Sequence, residues 1–416
     1  MNPESLVNDL NPSQQAAVEH RGGPLLIIAG AGSGKTRVLT RRIAHLLATN
    51  DASPGQIMAI TFTNKAAAEM RDRVVELVGP AARAMTVSTF HSACVRILRK
   101  EAGRLGMSTS FSIYDQTDSL RLMQMVIRDL DLDPKRYPPR SFLNHVSSAK
   151  NELIDHETYA ARASNHMEQT IAEAYAEYQR RLARGGAFDF DDLIGSTVAL
   201  LQLFPDVSEH YRRRFRHVLV DEYQDTNHAQ YVLIRELVGP GDDPNLPPAG
   251  LCVVGDADQS IYAFRGATIR NIEEFERDFP NATTILLEQN YRSTQNILSA
   301  ANAVISHNSS RREKRLWTDE GSGEPIVGYV GDDEHDEASF VSEEIDRLVD
   351  DAGYRPGDVA VFYRTNAQSR SVEEIFIRMG MPYKVVGGVR FYERREVRDA
   401  LAYLRSIANP GDEVSL

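Results

Sequence analysis

The run AGAGSGKT, residues 29–36, sets small residues ahead of a lysine and a hydroxyl side chain. Glycines let backbone N–H groups converge on phosphate oxygens where a helix begins. On that geometry Ala29, Gly30, Ala31, Gly32, Ser33 and Gly34 form a cradle, Lys35 holds the β- and γ-phosphates of ATP, and Thr36 offers its hydroxyl to Mg²⁺. The pattern is GxxxxGK[ST], except that Ala29 stands in the first glycine position. The competing reading is a glycine turn with a solvated lysine. The apolar LLII before the loop and the helical pattern after it favour the cradle.

Holding phosphate is not yet hydrolysis, which needs one carboxylate to anchor the metal and another to orient water. VLVDEYQD, residues 218–225, offers that pair. Val218, Leu219 and Val220 carry the chain through a core, so Asp221 and Glu222 emerge at a strand's carboxyl end, where ligands bind in open α/β sheets. Asp221 is assigned to the metal shell and Glu222 to the water. The eleven histidines show no HExxH-like spacing, and the two cysteines, Cys94 and Cys252, form no CxxC pair, so no transition-metal or redox site is expected.

The elements that must position these residues follow from hydrophobic period. PLLIIAG, IMAITFT and MTVSTFH alternate with helical patterns and are apolar on both faces, which predicts a parallel sheet covered on both sides. From about Tyr114 to Phe188 strand signals give way to amphipathic stretches, an inserted helical subdomain. RHVLVDEYQD and LCVVGDADQS then complete the first sheet. A third block, with TTILLEQNYR, IVGYVG, VAVFYRTN and YKVVGG, reads as a second α/β domain.

A chain of 416 residues exceeds what one core sustains, so two or more domains are expected. No apolar run approaches the roughly 20 residues of a membrane span, and the start MNPESLVNDLNPSQ lacks a signal peptide's basic lead, so the expected location is the cytoplasm. With 47 Lys and Arg against 59 Asp and Glu, the net charge is −12, which excludes coating nucleic acid by bulk charge. Any such site is local. The basic clusters YRRRFR (211–216) and RREKR (311–315) are read as solvated faces rather than contacts.

In order along the chain, LNPSQ, AGAGSGKTR, ITFTNKAAAEM, VDEYQDTN, VVGDADQSIYAFRGA and LEQNYRST resemble the superfamily 1A DNA helicases of the UvrD/PcrA/Rep kind. The resemblance implies an α/β fold: a RecA-like P-loop NTPase domain with an inserted helical subdomain, plus an incomplete second RecA-like domain. The implied boundaries are 1–113 and 189–284 for domain 1A, 114–188 for insertion 1B, 285–404 for the first part of domain 2A, and 405–416 for the start of insertion 2B. It also implies ATP and Mg²⁺ as cofactors, 3′-to-5′ movement on single-stranded DNA, action at single-strand/duplex junctions in repair or replication, DNA-repair proteins as partners, and a place near the nucleoid. The family's later motifs, TxHxAKGLEF and YVAxTRA, do not occur. The chain is therefore expected to be an N-terminal part of a longer protein, without the second arginine for transition-state charge. Such arginines are worth ~10³–10⁵ in rate, so an ATP- and DNA-binding fragment with little turnover stands as the alternative.

Carried over by resemblance, Gln14 reads the adenine edge while Arg37 and Tyr291 sandwich the ring. Arg292 reaches the γ-phosphate and Gln259 couples phosphate state to DNA. Taken singly, Arg292 reads as a surface arginine and Gln14 as a helix cap. Along the DNA track the matching positions are Phe62, Asn64, His91, Tyr262, Phe264, Arg265, Arg364 and Asn366, with Phe264 where the family usually has tryptophan. Rings in such a track stack on bases without regard to sequence. For Phe62, core packing is the rival reading.

Overall fold

The computed structural model describes residues 2–241, 245–263, 266–273, 275–308, 314–386, 395–409, 411 and 414. Two compact units emerge, Met1–Gly323 with Ala402–Leu416, and Glu324–Leu401.

In the first unit, helix α1 (Pro12–Glu19) precedes strand β1 (Leu25–Ala29), and β1 runs through the loop into α2 (Lys35–Ala48). Then come β2 (Ile57–Thr61), α3 (Asn64–Val78), β3 (Thr86–Thr89) and α4 (Phe90–Glu101). After the insertion the chain returns through α9 (Phe190–Leu203), α10 (Pro205–Arg214), β6 (His217–Val220), α11 (His228–Val238), β7 (Gly250–Gly255) and β8 (Thr283–Leu287), with α5–α8 and β4–β5 given below. Six of these strands form one parallel sheet in the order β3-β2-β6-β7-β1-β8.

Successive residues of each strand serve opposite faces, and both faces are dry. Leu26, Ile28, Met58, Ile60, Val218, Val220, Leu251 and Val253 pack under α4, α9 and α11. Leu25, Ile27, Ile57, Ala59, Leu219 and Val254 pack under α2 and α3. Crossover helices on both sides are what parallel pairing requires. Because all six strands run the same way, their carboxyl ends share one edge, where the loop after β1 and the acidic end of β6 meet.

β8 differs from the sequence grouping. By composition and order TTILLEQNYR groups with the third block, yet Thr283–Leu287 pairs with Leu25–Ala29 at the sheet's edge. Hydrophobicity marks a strand but does not name its neighbour.

The helical insertion comprises α5 (Gln116–Asp129), α6 (Pro139–Asn151), α7 (His156–Arg162) and α8 (His166–Arg184). Its entry and exit are zipped together by β4 (Ser112–Tyr114) and β5 (Ala187–Asp189), a parallel pair. Met123, Val126, Phe142, Val146, Tyr175 and Tyr178 fill its own core. A buried cation fastens it to the sheet domain: Lys150 Nζ of α6 lies 2.7 Å from Asp189 Oδ2 and 2.8 Å from Asp192 Oδ1 at the start of α9. Farther on, Arg405 pairs with Asp118 at 2.8 Å and Asn409 donates to the Gly185 carbonyl at 2.7 Å, so this late segment lies against the insertion.

The second unit holds helices Glu334–Ala352 and Ser369–Met379, which pack on each other. The strands expected from IVGYVG, VAVFYRTN and YKVVGG do not form among its described residues. A strand exists through its ladder, and among the described residues these stretches pair with no other strand, leaving Val330 95% and Phe362 92% exposed.

Candidate nucleotide and nucleic-acid site

The loop after β1 takes its shape from glycine. Gly32 (φ +69°) and Gly34 (φ +87°) adopt left-handed backbone, and Gly34 is the N-cap of α2 with no side chain capping it. The first-turn amides of α2 are thereby left for an anion. Ser33 Oγ donates to the Gly30 carbonyl at 2.8 Å and closes the loop.

Lys35 gives the clearest test of fit. Its ammonium has no hydrogen-bond partner, its side chain is 11% exposed, and the nearest carboxylate oxygen, Glu222 Oε2, is 4.0 Å away. Burial drives its pKa below the usual lysine range, against the pull of Glu222 and Asp221. A buried cation with no hydrogen-bond partner, beside uncapped amides, matches a polyphosphate.

At the end of β6, Asp221 N donates to the Ile60 carbonyl, extending the ladder by one residue and fixing the carboxylate at the sheet's edge. Burial pushes the Asp221 carboxyl up to about 6, with the Glu222 charge adding to it. A buried aspartate next to a half-exposed glutamate, both near a lysine, is a donor set suited to a hard cation such as Mg²⁺. Glu222 takes left-handed backbone (φ +52°, ψ +46°), an uncommon conformation for a residue with a Cβ. Such strain persists where surroundings over-determine it, and here Gln224 Nε2 holds Glu222 Oε2 at 2.8 Å.

Thr36, Asp221, Glu222, Gln224, Gln259, Phe62 and Tyr262 line one cleft of about 340 Å³. The Phe62 and Tyr262 rings stand 4.6 Å apart at 39°, so Phe62 belongs to the cleft wall rather than to the sheet core. His91 meets the 46% exposed Phe190 edge-on at 5.5 Å, an aromatic the sequence reading passed over. Asn64 is exposed at the start of α3. Phe264 and Arg265 lie outside the described residues. Arg364 and Asn366 are exposed in the second unit, just before helix Ser369–Met379.

Tyr291 and Arg292 dock on the loop through backbone. Tyr291 N donates to the Gly32 carbonyl at 3.0 Å. Asn290, unremarked in the sequence, organises the contact: its Nδ2 donates to the Ala31 carbonyl at 2.6 Å, and its Oδ1 accepts from Arg292 N and Ser293 N. A side chain at Gly32 would meet Arg292 Cβ at 2.8 Å, so the base of the Arg292 side chain lies beside the glycine loop, while the residue as a whole is exposed.

The adenine candidates are otherwise engaged. Gln14 Oε1 accepts from Asn11 N and caps α1, while its Nε2 donates to the Ser33 carbonyl at 2.9 Å. It thus caps a helix and braces the loop. Arg37 pairs with Asp9, and Tyr291 Oη accepts from Asn11 Nδ2 at 2.8 Å.

One further cation escaped the sequence reading. Lys314, from the RREKR run, is not on a solvated face: its side chain is 6% exposed, paired with Asp256 and lying 2.9 Å from Asp258 Oδ2. Residues 311–313 lie outside the described residues.

The family model described as the UvrD/REP helicase N-terminal domain matches residues 10–280, and that of the UvrD-like helicase C-terminal domain matches residues 285–416. The chain is 67% identical over 417 residues to the ATP-dependent DNA helicase UvrD1 of Mycobacterium tuberculosis, covering 99% of this chain and 54% of that protein. It is 50% identical over 410 residues to the ATP-dependent DNA helicase PcrA of Bacillus subtilis, with coverages of 99% and 54%. The chain spans about half the length of the curated relatives it matches.

Proposed function

This chain belongs to the UvrD/REP helicase family, and from that premise we propose that it is the ATP-binding, DNA-gripping part of an ATP-dependent DNA helicase. The motor runs 3′-to-5′ on single-stranded DNA, engages single-strand/duplex junctions, and serves repair or replication in the cytoplasm beside the nucleoid, with DNA-repair proteins as partners. No helix among the described residues is long and apolar enough to cross a membrane. The observation that carries the reading is the shared cleft: Thr36, Asp221, Glu222 and Gln259 line the same space as Phe62 and Tyr262. A change at phosphate has a short path to a stacked base.

In this reading Lys35 and the amides of residues 30–36 hold the β- and γ-phosphates, and Thr36 and Asp221 hold Mg²⁺. The ion supplies neutralisation of phosphate charge. Glu222, set by its strained backbone and by Gln224, orients the attacking water and accepts its proton. Arg292 offsets charge on the γ-phosphate, and Gln259 senses its loss. Gln14, Arg37 and Tyr291 enclose adenine once Arg37 leaves Asp9. Phe62, Tyr262, His91 and Phe264 face bases, while Asn64, Arg265, Arg364 and Asn366 take the backbone.

A second reading, ATP and DNA binding without useful turnover, is favoured by the strandless apolar stretches of Glu324–Leu401. The two separate in one assay, DNA-stimulated phosphate release with Lys35→Ala as the blank and Glu222→Gln as a binding-competent control. Release above the blank that Glu222→Gln abolishes supports the motor. Release equal to the blank, with nucleotide still bound, supports the second reading.

A further inference from the structure

We propose that Lys314 is a positioning residue that ties the phosphate loop to the turn carrying Gln259. The proposal rests on the nucleotide reading above.

Lysine is rarely this buried without a task. A buried ion pair adds little net stability, since desolvation offsets attraction, so its presence points to placement of its partners. Those partners are well chosen. One oxygen of Asp256 takes the Lys314 ammonium, and the other accepts from Gln259 Nε2. The Asp256 amide donates to Gln224 Oε1 at 3.0 Å, and Gln224 Nε2 holds Glu222. Lys314 therefore heads two hydrogen-bond chains, one ending on the proposed phosphate sensor and one on the proposed water-orienting carboxylate.

The same short segment touches the loop. Leu316 fills the space beside Gly30 so closely that a Cβ there would come within 2.1 Å of Leu316 Cδ2. Asn290 N donates to the Trp317 carbonyl at 2.8 Å, and Asn290 in turn holds Ala31. Residues 314–317 thus run from the Gln259 turn to the glycine corner of the cradle. Burial, and then the charge of Lys35, lower the Lys314 pKa to about 7. A triphosphate seated on Lys35 attracts Lys314 as well, and competes for it with Asp256 and Asp258. Nucleotide binding then loosens the grip on Asp256 and frees Gln259.

The test is linkage between nucleotide and DNA, which does not require turnover. The affinity of a fluorescein-labelled oligothymidylate is measured by anisotropy with and without the non-hydrolysable analogue AMP-PNP and Mg²⁺, for wild type, Lys314→Met and Lys314→Arg. The wild-type affinities are expected to differ about fivefold or more, within the usual range of coupling. Lys314→Met brings that ratio close to one while the oligothymidylate alone binds as before, and Lys314→Arg, which keeps the cation, retains most of it. A Lys314→Met chain with the wild-type ratio, or a Lys314→Arg chain as uncoupled as Lys314→Met, overturns the proposal. Should Lys314→Met fail to fold, the pair Lys314→Met/Asp256→Asn removes both charges together. Linkage still lost in that pair supports a positioning role, and linkage restored shows that Lys314 only balances Asp256 and overturns it. A wild-type chain whose thermal midpoint AMP-PNP and Mg²⁺ do not move removes the nucleotide reading, and this proposal with it; intact binding without the Lys314 effect removes this proposal alone.

Discussion

Replacing Lys35 by methionine should stabilise the nucleotide-free protein and abolish its response to nucleotide. The ammonium has no hydrogen-bond partner and is 11% exposed. A buried unsatisfied polar group costs about 1–3 kcal/mol, and more when charged. Attraction to Glu222 at 4.0 Å opposes this, by about 4 kcal/mol at an effective dielectric of ~20 and about 1 kcal/mol in water. The Glu222 side chain is 38% exposed, so the smaller value applies. The Lys35 pKa lies below its ordinary value, with burial the largest cause and Arg292 acting in the same direction against Glu222, Asp221 and Asp225. The net cost is about 1–2 kcal/mol, and removing it should raise the melting temperature of the first unit by a few degrees. Added Mg-ATP at about 100 times its Kd should then stabilise wild type by about 2.7 kcal/mol and leave Lys35→Met unmoved, inverting the order. Differential scanning fluorimetry with and without nucleotide reads both halves. A Lys35→Met protein that melts below wild type without nucleotide refutes the claim that this lysine waits without a hydrogen bond for an anion.

Two other outcomes follow from the buried charges. Asp221 is raised from 3.8 to about 6, so the folded state holds a proton that the unfolded chain has lost between those values. Stability of the nucleotide-free protein therefore falls as pH rises through that window, by at most about 3 kcal/mol. Affinity for Mg-ATP rises through pH 6 as the carboxylate forms, and Asp221→Asn should flatten both curves in titrations from pH 5 to 8. Lys150→Met strands Asp189 and Asp192, whose side chains are 7% and 8% exposed. The expected loss is about 3–5 kcal/mol by urea unfolding, and a loss under about 1 kcal/mol would mean those carboxyls are already neutral.

The local parts of the site could be read directly from the sequence. Phosphate cradles and acidic strand ends are continuous in the chain, so Lys35, Thr36, Asp221 and Glu222 announce themselves by neighbours, and the parallel sheet by its doubly apolar strands. What depends on distant partners could not be read. Lys314 lies in a charge run that looks solvated until Asp256 and Asp258 are brought to it. Asn290 stands between residues with more conspicuous chemistry, and its task, holding Ala31 and Arg292 together, exists only after the loop and β8 are side by side. The apolar stretches of Glu324–Leu401 had strand composition, but composition supplies no ladder. Arg37 and Gln14 illustrate a different limit: both have second partners, Asp9 and Asn11, that a motif match does not mention.

Trp317 is the chain's one tryptophan. It is 44% exposed, and its carbonyl takes the Asn290 amide beside the glycine corner. All indole emission from this protein therefore originates at the rim of the cradle. The molecule carries its own optical reporter, which needs no label and reads the segment that runs from Lys314 to the glycine corner.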